Sequence, residues 1–164
     1  MWKDTITEVI NYIDDRTKTT QKQVKDAVQA ANDSPSRMES RYDSYREEYS
    51  MQAAAIGNNL VGLRLLREFL AGLLSGQALQ NSNQIMLGAL VGLNYGDGDD
   101  DEFVLLIPNS GGDHIEVSGK HISTVSIESP LGAALIGHKI GDNVKYVSDR
   151  RTISVQIVDI LKDG

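Results

Sequence analysis

The sequence predicts an α+β chain: an N-terminal antiparallel helical hairpin, patterned as a coiled coil, then a small antiparallel sheet with one short helix. Three observations predict it. Apolar residues recur at gaps of three and four through the first half, the seam of paired helices. That period stops at Ser75-Gly76, where glycine suits a helix C-cap. Beyond it, apolar residues alternate or cluster in short runs bounded by Gly, Pro, Asn and Asp, the pattern of strands and turns. The change of period predicts two domains, residues 1–79 and 80–164.

The first seam runs through Ile6, Val9, Ile13, Thr17, Thr20, Val24, Ala27 and Ala31. It breaks at Asn32-Asp33-Ser34-Pro35. Ser34 suits an N-cap and Pro35 the first helical position, so a second helix restarts there. Its seam runs through Met38, Tyr42, Tyr45, Tyr49, Gln52, Ile56, Asn59, Leu63, Leu66, Leu70 and Leu73. Tyr42, Tyr45 and Tyr49 have the seam's own spacing and are expected to fill it. Two seams joined by a short turn bury themselves by folding back on each other. At 1.5 Å per residue the helices are roughly 40 and roughly 60 Å long, which makes a projecting rod. The second helix is most apolar over Leu60–Leu74, so that end is expected to meet the globular half or a second copy of the chain. Gly57, Gly62 and Gly72 lie within this helix and suggest close packing there.

The second half reads as five strands. Gln84–Tyr95 is a β-like run, followed by the acidic turn Gly96–Asp101. Phe103–Ile107 is a short apolar strand closed by Pro108-Asn109 and Gly111-Gly112. Ile122–Glu128 alternates, and Asn143–Ser148 with Arg151–Leu161 forms a hairpin. Pro130–Ile136 is Ala-rich and helix-compatible, with Ser129 as N-cap and Gly137 as its stop.

Composition narrows the function. The chain has 164 residues, 40% hydrophobic and 24% charged, as globular proteins have. No apolar run approaches the ~18 residues of a membrane span. Met1-Trp2-Lys3-Asp4 lacks the features of a secretory signal, and there is no cysteine. Disulfides, zinc-thiolate sites and thiol nucleophiles are thereby excluded, and a cytoplasmic location is expected. Net charge is −7. Residues 80–164 hold 6 basic and 12 acidic residues, whereas an independent grip on nucleic acid needs a basic face. Aromatics are only 5%, which argues against a deep aromatic-lined pocket. Asp97–Glu102 lacks the full spacing of a calcium loop and reads as a solvated acidic turn. His114, His121 and His138 are too scattered to suggest a metal site.

The stretch Ser126–Val144 resembles the C-terminal signature of the bacterial Gre (GreA/GreB) transcription elongation and transcript-cleavage factors. Ser129, Pro130, Leu131, Gly132, Ala134, Leu135, Gly137, Lys139, Gly141 and Asp142 stand in the family's order. Tyr42, Arg46 and Glu47 match its coiled coil. The resemblance implies an FKBP-like C-terminal domain that docks on RNA polymerase, with Ser129, Pro130, Leu131 and Gly132 in the docking surface. It implies a coiled coil that enters the secondary channel, where two tip carboxylates, an Asp and a Glu three residues on, help hold Mg²⁺ for RNA cleavage.

This chain departs from the family at that tip. Counting back from Tyr42–Glu47, the family's Asp falls on Pro35 and its Glu on Met38, neither of which ligates Mg²⁺. Asp33, Glu39 and Asp43 are nearby carboxylates, with Arg37 and Arg41 among them to compete as cations. The expectation is therefore a polymerase-binding regulator rather than an enzyme, with no cofactor, no membrane and nucleic acid met only within the transcription complex. Three alternatives remain. One is a cleavage factor using Mg²⁺ on shifted carboxylates, Asp33 and Glu39. Another is a prolyl isomerase, for which residues 80–164 offer as aromatics only Tyr95, Phe103 and Tyr146. The third is a self-associating protein dimerising through Leu60–Leu74.

Overall fold

A computed structural model of the chain describes residues 1–33, 39–76, 83–98 and 101–162; the side chains of residues 30–47 and 49 also lie outside the described set. The elements run α1 (Trp2–Asp33), α2 (Glu39–Leu74), β1 (Leu90–Asn94), β2 (Glu102–Ile107), β3 (His114–Val117), β4 (Lys120–Ser126), α3 (Pro130–Leu135), β5 (Asn143–Ser148) and β6 (Arg151–Leu161). The fold is α+β, as the change of period predicts.

Asp14, in the first half of α1, pairs with Arg67, near the end of α2. The second helix therefore runs back along the first. On α1 the predicted seam is buried at Ile6, Val9, Ile13 and Thr20 and half-buried at Thr17, Val24 and Ala27, while the Ala31 side chain lies outside the described residues. Its two threonines fit because their hydroxyls donate back to the preceding turn, Thr17 to the Ile13 carbonyl at 2.8 Å and Thr20 to the Arg16 carbonyl at 2.8 Å. On α2 the seam residues Met38, Tyr42, Tyr45 and Tyr49, expected to fill it, lie outside the described side chains; among the described ones it is buried from Leu63 onward, through Leu66, Leu70 and Leu73. Gln52 and Asn59 are exposed. The close packing expected at Gly57 is absent, since a Cβ there would meet nothing within 4 Å.

The sheet departs from the sequence expectation in two ways. It has six strands, not five, and it is mixed rather than antiparallel. The order is β3-β4-β2-β1-β6-β5; β2 and β4 pair in parallel, Phe103 opposite Ile122 and Ile107 opposite Ser126. The unpredicted strand β3 is the cause. After β2 the chain crosses to the sheet edge, forms β3, and turns back through Ser118 (φ 52°) and Gly119 (φ 75°). That tight turn brings β4 in beside β2 running the same way, a pairing that needs such a crossover. The predicted run Gln84–Tyr95 becomes strand only at Leu90.

Alternate residues of the strands feed two cores. Leu90, Leu105, Ile107, Val117 and Ile122 face α1 and α2, where they pack with Trp2, Ile6, Val9, Ile13, Leu63, Leu66, Leu70 and Leu73. Val91, Leu93, Val104, Leu106, Val144, Val155 and Ile157 face the other way, onto Leu135 of α3 and Ile85. The base of the hairpin is thus one layer of a three-layer unit, and the buried Trp2 indole donates to the Gly88 carbonyl at 2.8 Å. Among the described residues, no helix is long and apolar enough to cross a membrane.

Candidate functional site

The segment from Ser126 to Asp142 wraps the end of β4 into α3 and then into β5. Ser129 caps α3: its hydroxyl accepts from the Gly132 amide at 3.1 Å and donates to the Ser126 carbonyl at 2.7 Å. Pro130 occupies the first turn, where its missing N–H costs nothing. Gly132 is required by contact, because a Cβ there would overlap the Ser126 carbonyl oxygen. The helix therefore lies directly on the end of β4. Leu131 and Ala134 pack against the second core and Leu135 is buried within it.

Two more glycines set the exit. Gly137 (φ 83°) ends the helix and its amide donates to the Ile85 carbonyl at 2.9 Å. Gly141 (φ 91°) turns the chain toward β5 and donates to the Ile157 carbonyl at 2.8 Å. Asp142 closes that turn by accepting from the Lys139 amide at 2.9 Å. Most of the signature is thus explained by the turn, the cap and the core.

What faces outward is a set of apolar residues together with the charged Lys139. Pro130 and Ala133 are exposed, Ile136 is 39% exposed and Ile140 57%. Met86 follows Ile85, whose backbone bonds to Gly137 and His138, and is 36% exposed. Of the four docking residues named from the sequence, only Pro130 is exposed; Ser129 and Leu131 are half-buried and Gly132 is buried. Sequence reasoning missed Ile136 and Ile140. The available signal was the outward spacing of Pro130, Ala133 and Ile136 along one side of a short helix.

The tip candidates are not brought into view. Asp33, Glu39, Arg41 and Asp43 sit on helical backbone, but their side chains lie outside the described residues. Arg37, like Pro35 and Met38, lies outside them altogether. Among the described residues no group of His, Asp or Glu is disposed to hold a metal. His114 Nδ1 instead meets the Ser123 hydroxyl at 2.9 Å. The acidic turn is tied down by Asn94, whose amide donates to Asp101 at 3.0 Å. Burial raises the Tyr95 phenol above its ordinary pKa, helped by its hydrogen bond with Tyr146 and by Glu102.

A sequence model of the family described as "Transcription elongation factor, GreA/GreB, C-term" matches residues 80–162, half of the chain. The chain belongs to the GreA/GreB family. Transcription elongation factor GreA of Mycobacterium tuberculosis (strain H37Rv) is 34% identical over 119 residues, covering 71% of this chain and 66% of that protein. GreA of Streptomyces coelicolor is 29% identical over 103 residues, 62% of this chain and 59% of that protein. The chain thus spans just under two thirds of the first relative's length. Among solved structures, GreA factor homolog 1 (Gfh1) of Thermus thermophilus aligns over 97% of this chain and 94% of its own, at 15% identity and a TM-score of 0.38.

Proposed function

We propose that this chain is a Gre-type regulator that binds RNA polymerase through the apolar strip at Pro130, Ala133, Ile136 and Ile140, and inserts its hairpin into the secondary channel without stimulating transcript cleavage. The strip carries the reading. It lies within the family signature, on the side of the sheet opposite the hairpin, and exposes branched apolar side chains that a monomeric surface has no structural need to cluster. Ser129, Leu131 and Gly132 shape the surface from beneath.

The lack of cleavage rests on the donor set. Mg²⁺ takes hard oxygen ligands, and the positions that correspond to the family's tip carboxylates carry Pro35 and Met38. Those side chains do not fit the metal, so no cofactor is assigned. Nucleic acid is met only inside the transcription complex, in keeping with a net charge of −7, and the expected setting is the cytoplasm. The prolyl isomerase reading finds no support in the sheet: Phe103 packs on the hairpin face, Tyr95 and Tyr146 on the other.

Two measurements test the proposal. Pull-down with core polymerase is expected to succeed, and Ile136→Asp combined with Ile140→Asp to abolish it while circular dichroism stays unchanged. Undiminished binding by the folded double variant would overturn the docking surface. In a stalled elongation complex with Mg²⁺, the chain is expected to leave the RNA length unchanged and to slow cleavage by an active factor. Robust RNA shortening would instead establish the alternative that uses Asp33 and Glu39.

A further inference from the structure

The hairpin leaves the sheet at a definite place. In α1 the last core residue is Ile13, and in α2 the first is Leu63. One loop, residues 108–113 between β2 and β3, binds α1 and approaches α2 just there. Asp113 accepts from the Arg16 guanidinium at 2.7 and 2.9 Å and from the Tyr12 hydroxyl at 3.1 Å, so one carboxylate holds two successive turns of α1. On α2, a Cβ at Gly62 would lie 3.5 Å from the Ser110 hydroxyl.

The loop itself is rigidly seated. The Gly112 amide donates to the Thr124 carbonyl at 2.7 Å, the Thr124 amide to the Asp113 carbonyl at 2.8 Å, and the Asp113 amide to the Thr124 hydroxyl at 3.0 Å. A Cβ at Gly111 would overlap the Ser126 amide nitrogen, so the loop lies directly on β4. Ser110 (φ 58°) and Gly112 (φ 106°) both take the left-handed region that this path demands. A non-glycine residue held there marks a conformation maintained by its surroundings.

We propose that this loop is a collar that sets the direction of the hairpin relative to the head, with Asp113 as its positioning residue. The side chains of Asp113 and Arg16 are 20% and 38% exposed, so the pair is a contact at the edge of the core rather than part of it. A tilt of about 10° at the collar moves a point 16 residues further along α2, about 24 Å away, by about 4 Å. A probe threaded into a narrow channel is sensitive to a displacement of that size. The consequence for transcription rests on the proposed polymerase reading; the collar does not, and its test uses the free protein.

The chain lacks cysteine, so a spin-label pair is readily placed at Met51→Cys on α2, 76% exposed, and Val147→Cys on β5, 57% exposed. Met51 lies about 17 Å along α2 from Gly62, so on this background Asp113→Ala is expected to broaden the distance distribution or shift its mean by about 3 Å for a tilt of about 10°. Arg16→Ala is expected to do the same, and the double variant no more than either single one. Gly62→Ala, whose Cβ would only reach van der Waals contact with the Ser110 hydroxyl, is expected to leave the mean unchanged. Distributions unchanged in Asp113→Ala, or additive effects of the two single variants, would overturn the collar. Loss of polymerase pull-down in an undisturbed collar would count against the docking reading alone.

Discussion

The two faces of the sheet are built from alternate residues of the same strands, yet they are covered differently. One face takes Leu90, Leu105 and Ile107 under α1 and α2, joining residues from the first turn of the chain to Ile122. The other takes Val91, Leu93, Val104 and Leu106 under α3, a helix of six residues with a short local connection to β4. The first cover is long and seals its core; the second is short and leaves Ile136 and Ile140 outside it. Burial on the first face anchors the base of the hairpin, and incomplete burial on the second leaves branched apolar side chains in solvent. A short helix whose inner side is fixed by Ser129, Gly132 and Leu135 presents its outer side reproducibly without contributing it to the core.

The strongest way to break this comparison is to open the first face. Leu70 is fully buried among both helices and the sheet. Leu70→Ala is expected to cost about 3 kcal/mol, within the range for buried leucines. Because the core is shared, fluorescence of Trp2 and far-UV circular dichroism are expected to report one transition during urea unfolding. Two separated transitions would mean that the hairpin base is not part of the head's cooperative unit.

The second face is tested at Gly132. Gly132→Ala pushes a methyl group into the Ser126 carbonyl, which also accepts the Ser129 hydroxyl. A cost of about 2 kcal/mol is expected, the scale of overpacking against atoms that cannot move aside. Polymerase binding is expected to weaken, while Trp2 fluorescence in the native state stays unchanged because the indole sits on the opposite side. A native-state spectral shift would show that the faces are mechanically coupled.

Smaller changes sharpen the same contrast. Trp2→Phe keeps the ring but leaves the buried Gly88 carbonyl without its donor, at an expected cost of about 1–2 kcal/mol. Ser129→Ala removes the α3 cap and is expected to cost about 1 kcal/mol. Thermal melts at matched pH check both.

The sequence made the local parts of this contrast legible and hid the parts that depend on distant partners. The seam through Ile6, Val9 and Ile13 is readable because helical period survives in any environment. The cap at Ser129 is equally readable because a capping side chain acts within three residues. That Leu63, Leu66, Leu70 and Leu73 would meet a sheet as well as a helix was only half visible, since an apolar stripe does not name what covers it. Strand β3 escaped because it has only four residues, His114–Val117, so its alternation rests on just two apolar positions, Ile115 and Val117, and with it went the parallel pairing of β2 and β4. The docking residues named from the signature include the exposed Pro130 but not the exposed Ile136 and Ile140. Which residue faces outward depends on the angle at which α3 sits on β4, which the overlap at Gly132 fixes in three dimensions.

The smallest expected effect isolates the helix layer from the sheet. Asp14 accepts from Arg67 at 2.6 and 3.2 Å, and the side chains are 35% and 48% exposed, so the pair bridges α1 and α2 without touching either core. The Arg67 hydrogen bond holds the Asp14 carboxyl below its ordinary pKa, against a weaker opposing effect of burial. A carboxylate lowered in the folded state stabilises that state above its unfolded value, about 3.9, and the contribution disappears as pH falls through the lower folded value. Asp14→Asn is therefore expected to lower the melting temperature slightly at pH 7, with the gap closing as pH drops below about 4 and shrinking in high salt, as exposed pairs do. A gap that persists in acid would assign the effect to the shape of the side chain rather than its charge. In that case the two helices are held together by packing alone, and the first face of the sheet would be the only anchor the hairpin has besides its collar.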